Sequence, residues 1–188
     1  MGIRVTEARR GMVIRHQGEL YQITRYDHVT PGNWRAIHHL NLRNLKTGRQ
    51  KDVRMSTSDV IEPMFVEAKP CQYLYQDANG HVFMDSESFD QFHLSAEVLD
   101  ETLHYVVEGD SVEVVYVEGE PLNVQLPTSV TLEIAEAEEA IKGDTVSNLQ
   151  KSATLVTGYV LKVPLHIKPG ERIRVNTETG EFLGRATD

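Results

Sequence analysis

Apolar and polar residues alternate with period two along most of the chain, as in Leu20-Tyr21-Gln22-Ile23-Thr24, Leu40-Asn41-Leu42-Arg43-Asn44-Leu45 and Ser111-Val112-Glu113-Val114-Val115-Tyr116-Val117. A strand sends successive side chains to opposite faces, so this spacing predicts strands with one face in a core and the other in water. Turn signals interrupt them at short intervals: His16-Gln17-Gly18, Thr47-Gly48, Asn79-Gly80, Glu118-Gly119 and Thr179-Gly180. Glycine there supplies the positive φ that tight hairpins need. Many short strands joined by tight turns predict an all-β chain of barrels or sandwiches. One stretch has helical spacing, Ser95 to about Tyr105, where Ser95 stands as a cap and Val98, Leu99, Thr102 and Leu103 make an apolar stripe. Ala135 to Lys142 favours helix by composition but is acidic and ends at Gly143, which predicts a loop or a single turn.

Prolines mark joints at Glu62-Pro63 and Leu126-Pro127, each after one strand-like run and before another. They divide the chain into residues 1–64, 65–128 and 129–188. Segments of about 60 residues bury too little surface to be very stable alone. With no Gly/Ser-rich or Pro-rich linker between them, the three are expected to pack end to end.

No run of about eighteen apolar residues is present to span a membrane. Met1-Gly2-Ile3-Arg4 leads into mixed polar sequence rather than a signal peptide, so the cytoplasm is the expected compartment. The lone cysteine, Cys71, excludes an internal disulfide and a cysteine-based zinc site, and reads as packing filler.

The net charge of −9 argues at first against a nucleic-acid partner, since phosphate binding draws on lysine and arginine. Its distribution changes that picture. Residues 1–64 hold 11 Lys+Arg against 6 Asp+Glu, residues 65–128 hold 1 against 13, and residues 129–188 hold 7 against 9, giving +5, −12 and −2. Near a polyanion such a chain would orient with its first third inward and its middle third repelled.

Enzyme signatures are scarce: there is no GxSxG, no Gly-rich loop ending in GK[ST], no HExxH and no paired-cysteine motif. His38-His39 is tempting as a metal pair, but neighbours on a strand face opposite ways. Glu138-Glu139 has the same difficulty as an acid/base pair and reads better as a solvated acidic turn. No catalytic residue, metal or cofactor is expected.

Val29-Thr30-Pro31-Gly32-Asn33-Trp34-Arg35-Ala36 is more informative, a turn cluster between two strand-like runs that carry basic residues. It predicts a hairpin tip, with Pro31-Gly32 suited to a turn and Asn33 tolerant of its backbone angles. Trp34 either packs back on its own barrel or stacks on a partner. Stacking a base on an aromatic ring contributes about 1–3 kcal/mol, and Arg35 beside it would hold a phosphate.

The last third carries the most specific pattern: Lys142-Gly143-Asp144-Thr145, Lys151-Ser152-Ala153-Thr154-Leu155-Val156-Thr157-Gly158, Val163-Pro164, Pro169-Gly170-Glu171 and Thr179-Gly180-Glu181. In order and spacing these resemble the carboxy-terminal signature of the elongation factor P family. The resemblance covers essentially the whole chain, including Gly32 to Gly48 and Tyr73-Leu74-Tyr75. It implies a KOW or SH3-like barrel over residues 1–64, OB-fold barrels over 65–128 and 129–188, and an L-shaped, tRNA-like arrangement. It also implies a monomer that binds the ribosome between the peptidyl and exit sites, beside the peptidyl-tRNA, with no membrane partner. There it would promote peptide bond formation at stalls such as consecutive prolines.

By the same resemblance, Pro31, Gly32, Asn33, Trp34 and Arg35 approach the tRNA acceptor end, with Pro31, Gly32 and Ala36 matching the family. Gly143, Asp144 and Thr145 match the third-domain loop facing the small subunit, and Arg185 matches a basic family position. Asn33 is a departure, standing where the family has a modified lysine or arginine, and Trp34 replaces a usual glycine. Asparagine cannot carry the β-lysyl, hydroxylysyl or rhamnosyl groups attached at that place. The alternative is a ribosome- or RNA-binding regulator that kept the scaffold and lost peptide-bond stimulation.

Overall fold

The computed structural model describes residues 1–32, 35–139 and 149–186. Among these it contains three curled antiparallel sheets in series. The first is built from β1 (Ile3–Arg4), β2 (Val13–His16), β3 (Glu19–Val29), β4 (Ile37–Asn44), β5 (Gln50–Ser56) and β6 (Val60–Pro63), in the order β1-β6-β2-β3-β4-β5. The second holds β7 (Glu67–Asp77), β8 (Gly80–Asp85), β9 (Gln91–Leu94), β10 (Ser111–Val117) and β11 (Glu120–Gln125), in the order β11-β10-β7-β8-β9. The third holds β12 (Ser129–Ala137), β13 (Gln150–Leu155), β14 (Val160–Pro164), β15 (Arg172–Asn176) and β16 (Phe182–Arg185), in the order β14-β13-β12-β15-β16.

Numbered within their own sheets, the strands of the second and third follow one order, 5-4-1-2-3, read from opposite edges. In each, the first strand is central and is interrupted by a register shift, between Tyr73 and Tyr75 in β7 and between Ile134 and Glu136 in β12. A bulge bends its strand and adds twist. The edge strands accordingly come back into contact, β9 with β11 and β14 with β16, and each sheet closes on its own core.

Alternation supplies the cores. On β4 the side chains of His38, Leu40, Leu42 and Asn44 are buried, and the residues between them are at least partly exposed. Leu40 and Leu42 meet Tyr21 and Ile23 of β3, along with Val5, Ala8, Ile14 and Ile61, in the first core. Cys71, fully buried among Tyr73, Phe83, Leu99 and Val114, fills space in the second as the sequence implied. Burial is the main influence on its thiol and pushes the pKa above the ordinary value.

Two local expectations need correction. Ser95 does cap, its hydroxyl accepting the Val98 N–H at 3.3 Å, but the α-helix, α1, covers only Ala96–Leu99. Asp100 adopts φ 43°, and the chain continues as a 3-10 turn over Asp100–His104. The reason is tertiary: Leu99 belongs to the second core and Tyr105 to the third, so the segment turns from one to the other. The second correction concerns Ala135, which with Glu136 and Ala137 continues β12 rather than forming a loop or turn. Pairing of Glu136 with Thr154 and Ala137 with Ala153 outweighs their helical preference. Glu138 and Glu139 follow outside any helix or strand, as expected of a loop, and 140–142 lie outside the described residues.

The sheets dock through mixed joints. Between the first and second, Val13, Leu45, Val117 and Leu122 form a buried cluster. Around it Arg15 Nη2 meets Glu118 Oε2 at 2.8 Å, Lys46 Nζ meets Glu120 at 3.6 Å, and Arg43 Nη2 donates to the Val98 carbonyl at 3.3 Å. Between the second and third, His104 stacks on Tyr159 at 4.7 Å, and the Thr157 hydroxyl donates to the His104 carbonyl at 2.8 Å. The three therefore pack end to end, as their size requires.

Candidate nucleic-acid interface

β3 and β4 form a long hairpin, closed at its far end by the Val29↔Ile37 pair, so the connection 30–36 is its tip. Pro31, Gly32 and Arg35 are exposed there, and Gly32 takes φ 50°. Asn33 and Trp34 lie outside the described residues.

Below the tip is a feature that the sequence reading missed. Tyr26, His38 and His28 stack in series, Tyr26 on His38 at 5.7 Å and 16° between planes, and His28 on His38 at 4.7 Å and 6°. His28 and His38 are direct cross-strand partners, and Tyr26 is two residues from His28 on the same face of β3. The signal was present as aromatic rings at positions 26 and 28 opposite one at 38, but it appears only once the strand register is known. His39 points away from this stack and is partly exposed, so the two adjacent histidines are separated by the sheet, as expected.

Both His38 ring nitrogens have partners: Nδ1 lies 2.7 Å from the Tyr26 hydroxyl and Nε2 3.3 Å from the Thr57 hydroxyl, which in turn lies 3.5 Å from the Ala36 carbonyl oxygen. The tautomer in which Nδ1 accepts from Tyr26 and Nε2–H donates to Thr57 satisfies all of these groups at once. His38 is 2% exposed, and burial first, then the neighbouring His28, holds its pKa below the ordinary value. The buried ring is neutral at neutral pH, and the Tyr26-His38-Thr57-Ala36 relay ties the end of the tip to the barrel.

On the flank of the hairpin, Arg25, His28, His39 and Arg54 border an open groove of about 710 Å³, together with Asp27 and Asp52. Arg25 is paired with Asp27 at 2.6 Å, whereas Arg54 has no ion-pair partner among the described residues. Several cations of the first barrel are used internally, since Arg15, Arg43 and Lys46 face the acidic second barrel. Part of the charge asymmetry is therefore a docking feature.

The remaining candidates lie in the third barrel. Gly143, Asp144 and Thr145 are outside the described residues. Arg185 ends β16 with its side chain 54% exposed, and its Nε meets Glu171 Oε2 at 2.8 Å. Glu171 also accepts the Lys168 N–H, so Arg185 braces the turn before β15 and keeps an open face. Both Glu138 and Glu139 are exposed, and Glu138 accepts the Ser152 N–H at 2.9 Å, which holds its carboxyl below the usual range.

Comparison with known proteins agrees with this architecture throughout its length. Residues 4–61 match the elongation factor P KOW-like domain, 66–124 the elongation factor P OB domain, and 130–185 the elongation factor P C-terminal domain. Elongation factor P of Exiguobacterium sp. strain AT1b is 40% identical over 184 residues, covering 97% of this chain and 98% of that protein. Elongation factor P of Chloroflexus aggregans is 38% identical over 182 residues, 96% of each. Eukaryotic translation initiation factor 5A from Methanococcus jannaschii shares the fold, with a TM-score of 0.50 at 17% identity, over 66% of this chain and 94% of that one.

A KOW-like barrel followed by OB barrels, matched domain by domain, makes this a translation elongation factor. The chain belongs to the elongation factor P family.

Proposed function

We infer that this protein binds the ribosome between the peptidyl and exit sites, sets its first-barrel tip against the acceptor end of the peptidyl-tRNA, and promotes peptide bond formation at stalling sequences such as consecutive prolines. The observation that carries this reading is the hairpin tip, exposed at Thr30, Pro31, Gly32 and Arg35 and held at a fixed distance from the other barrels by packed joints. Proline is a conformationally restricted reactant. Bracing the tRNA end removes orientational freedom that would otherwise be lost in the transition state. The ribosome carries out the chemistry, and this cytoplasmic factor contributes binding and position, with no catalytic group of its own. Gly143 to Thr145 and Arg185 face the small subunit.

Asn33 favours a second reading, since it offers no amine for modification: a regulator that occupies the ribosome without stimulating it. In vitro translation of a Pro-Pro-Pro reporter with and without the protein separates the two. Relief of the stall supports the first, and co-sedimentation with ribosomes without relief supports the second. Within the first reading Trp34→Ala lowers relief and leaves ribosome co-sedimentation unchanged; equal relief by both proteins would remove Trp34 from the contact. Asn33→Lys measures how far the tip departure limits activity.

A further inference from the structure

A cleft of about 500 Å³ opens where the second barrel meets the third. Its floor is a cross-strand row on the outer face of the second sheet, Pro70 of β7 beside Glu113 of β10 and Glu113 beside Gln125 of β11, with Ala68 two residues along β7 on the same face. Its wall is apolar: Val106 belongs to the second core, Val130 packs on the third, and Leu126 in the joint packs on both. The solvent face of an antiparallel sheet is ordinarily polar, and proline is unusual on a strand with neighbours on both sides, because it cannot donate to the ladder. Ala68 and Pro70 break both habits where the third barrel comes near. Sites for small ligands have this character: about 300–1,000 Å³, set at domain boundaries, with apolar walls and a few placed polar groups.

The placed groups here are carboxylates. Asp110 and Glu113 both border the cleft, and Asp110 Oδ2 accepts the Val107 N–H at 2.9 Å. Neither has an ion-pair partner among the described residues. No lysine or arginine is among the described residues that border the cleft. Lys69, the one cation of residues 65–128, alternates to the opposite face of β7, where its Nζ lies 5.0 Å from the centre of the Tyr116 ring. A cleft lined by one sign of charge and walled by apolar groups concentrates the field within it. We propose that this cleft binds a small organic cation, with an apolar body seated against Pro70, Leu126 and Val130 and a protonated amine held at Glu113. A polyamine would leave the apolar wall unused, and an anion would meet two uncompensated carboxylates. The site is separate from the hairpin tip and does not depend on the ribosome reading.

The test titrates the full chain with 2-phenylethylamine, its neutral counterpart 2-phenylethanol and the anion 3-phenylpropionate, following backbone amide shifts by NMR. The amine should shift the amides of Val106, Glu113 and Val130 saturably. It should bind about fivefold more tightly than the alcohol, the advantage of one partly exposed ion pair, and the carboxylate should bind more weakly than either. In Glu113→Gln the amine should fall toward the affinity of the alcohol, which itself stays as in the parent. Ala68 is exposed, so Ala68→Phe fills the cleft from its rim without entering a core, and should abolish binding of both. If that variant loses the parent's amide spectrum, Gln125→Phe, exposed in the same row, fills the cleft from the other side. Equal binding of amine and carboxylate would overturn the proposal. So would amine shifts that do not saturate, that spread over the acidic face of the second barrel, or that persist once the cleft is filled, since these would reduce the contact to counterion attraction.

Discussion

Gly48 closes the β4–β5 turn at φ 69°, and a Cβ placed on it would lie 2.3 Å from the Glu97 carbonyl oxygen of α1. Two costs follow for Gly48→Ala. The left-handed backbone penalises any side chain by about 1–2 kcal/mol. Ordinary contact begins at 3.4 Å, so the turn and α1 must also part by about 1.1 Å (3.4 less 2.3). Overpacking of that kind costs about 1–3 kcal/mol. Gly18 provides the control: it has φ 82° and nothing within 4 Å of its Cβ, so Gly18→Ala pays the backbone penalty alone. Urea unfolding should show Gly48→Ala less stable than Gly18→Ala by about 1–3 kcal/mol. The Pro-Pro-Pro reporter should separate them further, because a 1 Å misplacement of a positioning element can reduce rate by up to about a hundredfold. If the two variants match in stability and in relief, the close approach of the first barrel to α1 does not set the position of the tip.

Tyr105 is contributed by the segment after α1 but is buried in the third core, 5.7 Å from Tyr159; burial raises its pKa to about 12. Tyr105→Ala should cost about 3–5 kcal/mol and split a single denaturant transition into two, as the third barrel uncouples; one unsplit transition would contradict that. His16, His38 and His81 all have pKa values lowered mainly by burial. The unfolded chain then binds more protons, so their contribution is present above the ordinary pKa of 6.5 and is lost as pH falls through the lowered values. Each contributes at most ~1.4 kcal/mol per pH unit, and His38→Phe should flatten the stability profile below pH 6.5. An unchanged slope would mean that His38 is already charged in the folded state.

Strand content was legible because burial on one face forces period two, and β3, β4 and β10 fall on the runs quoted from the sequence. The helix at Ser95 was overestimated because its apolar stripe, read as one face, serves two cores: Leu99 fills the second and Tyr105 the third. Composition misjudged Ala135 to Ala137, where cross-strand pairing decides. The candidate tip was visible as a turn cluster, while the ring series beneath it was not. It joins positions 26, 28 and 38, and only the register brings these together. The shared strand order of the second and third barrels agrees with the OB-fold expectation that the family resemblance carried for both.

The charge asymmetry poses the remaining question, whether the cations of the first barrel hold the second barrel or serve an outside partner. Glu118 and Glu120 are more than half exposed, with side-chain accessibilities of 62% and 66%. Pairs so exposed contribute about 0–1 kcal/mol, so the firmness of the joint must come from Val13, Leu45, Val117 and Leu122 and from the Gly48 approach. Replacing both carboxylates by Glu118→Gln and Glu120→Gln should therefore change unfolding free energy by less than about 2 kcal/mol in total. The same change frees Arg15 and Lys46 on the side away from the tip. Nonspecific binding to blunt RNA should rise in consequence, and the increase should disappear as salt is raised. Stability lost beyond that limit would make the joint electrostatic. Unchanged RNA binding would show that the acidic middle barrel does not serve to confine RNA to the hairpin end.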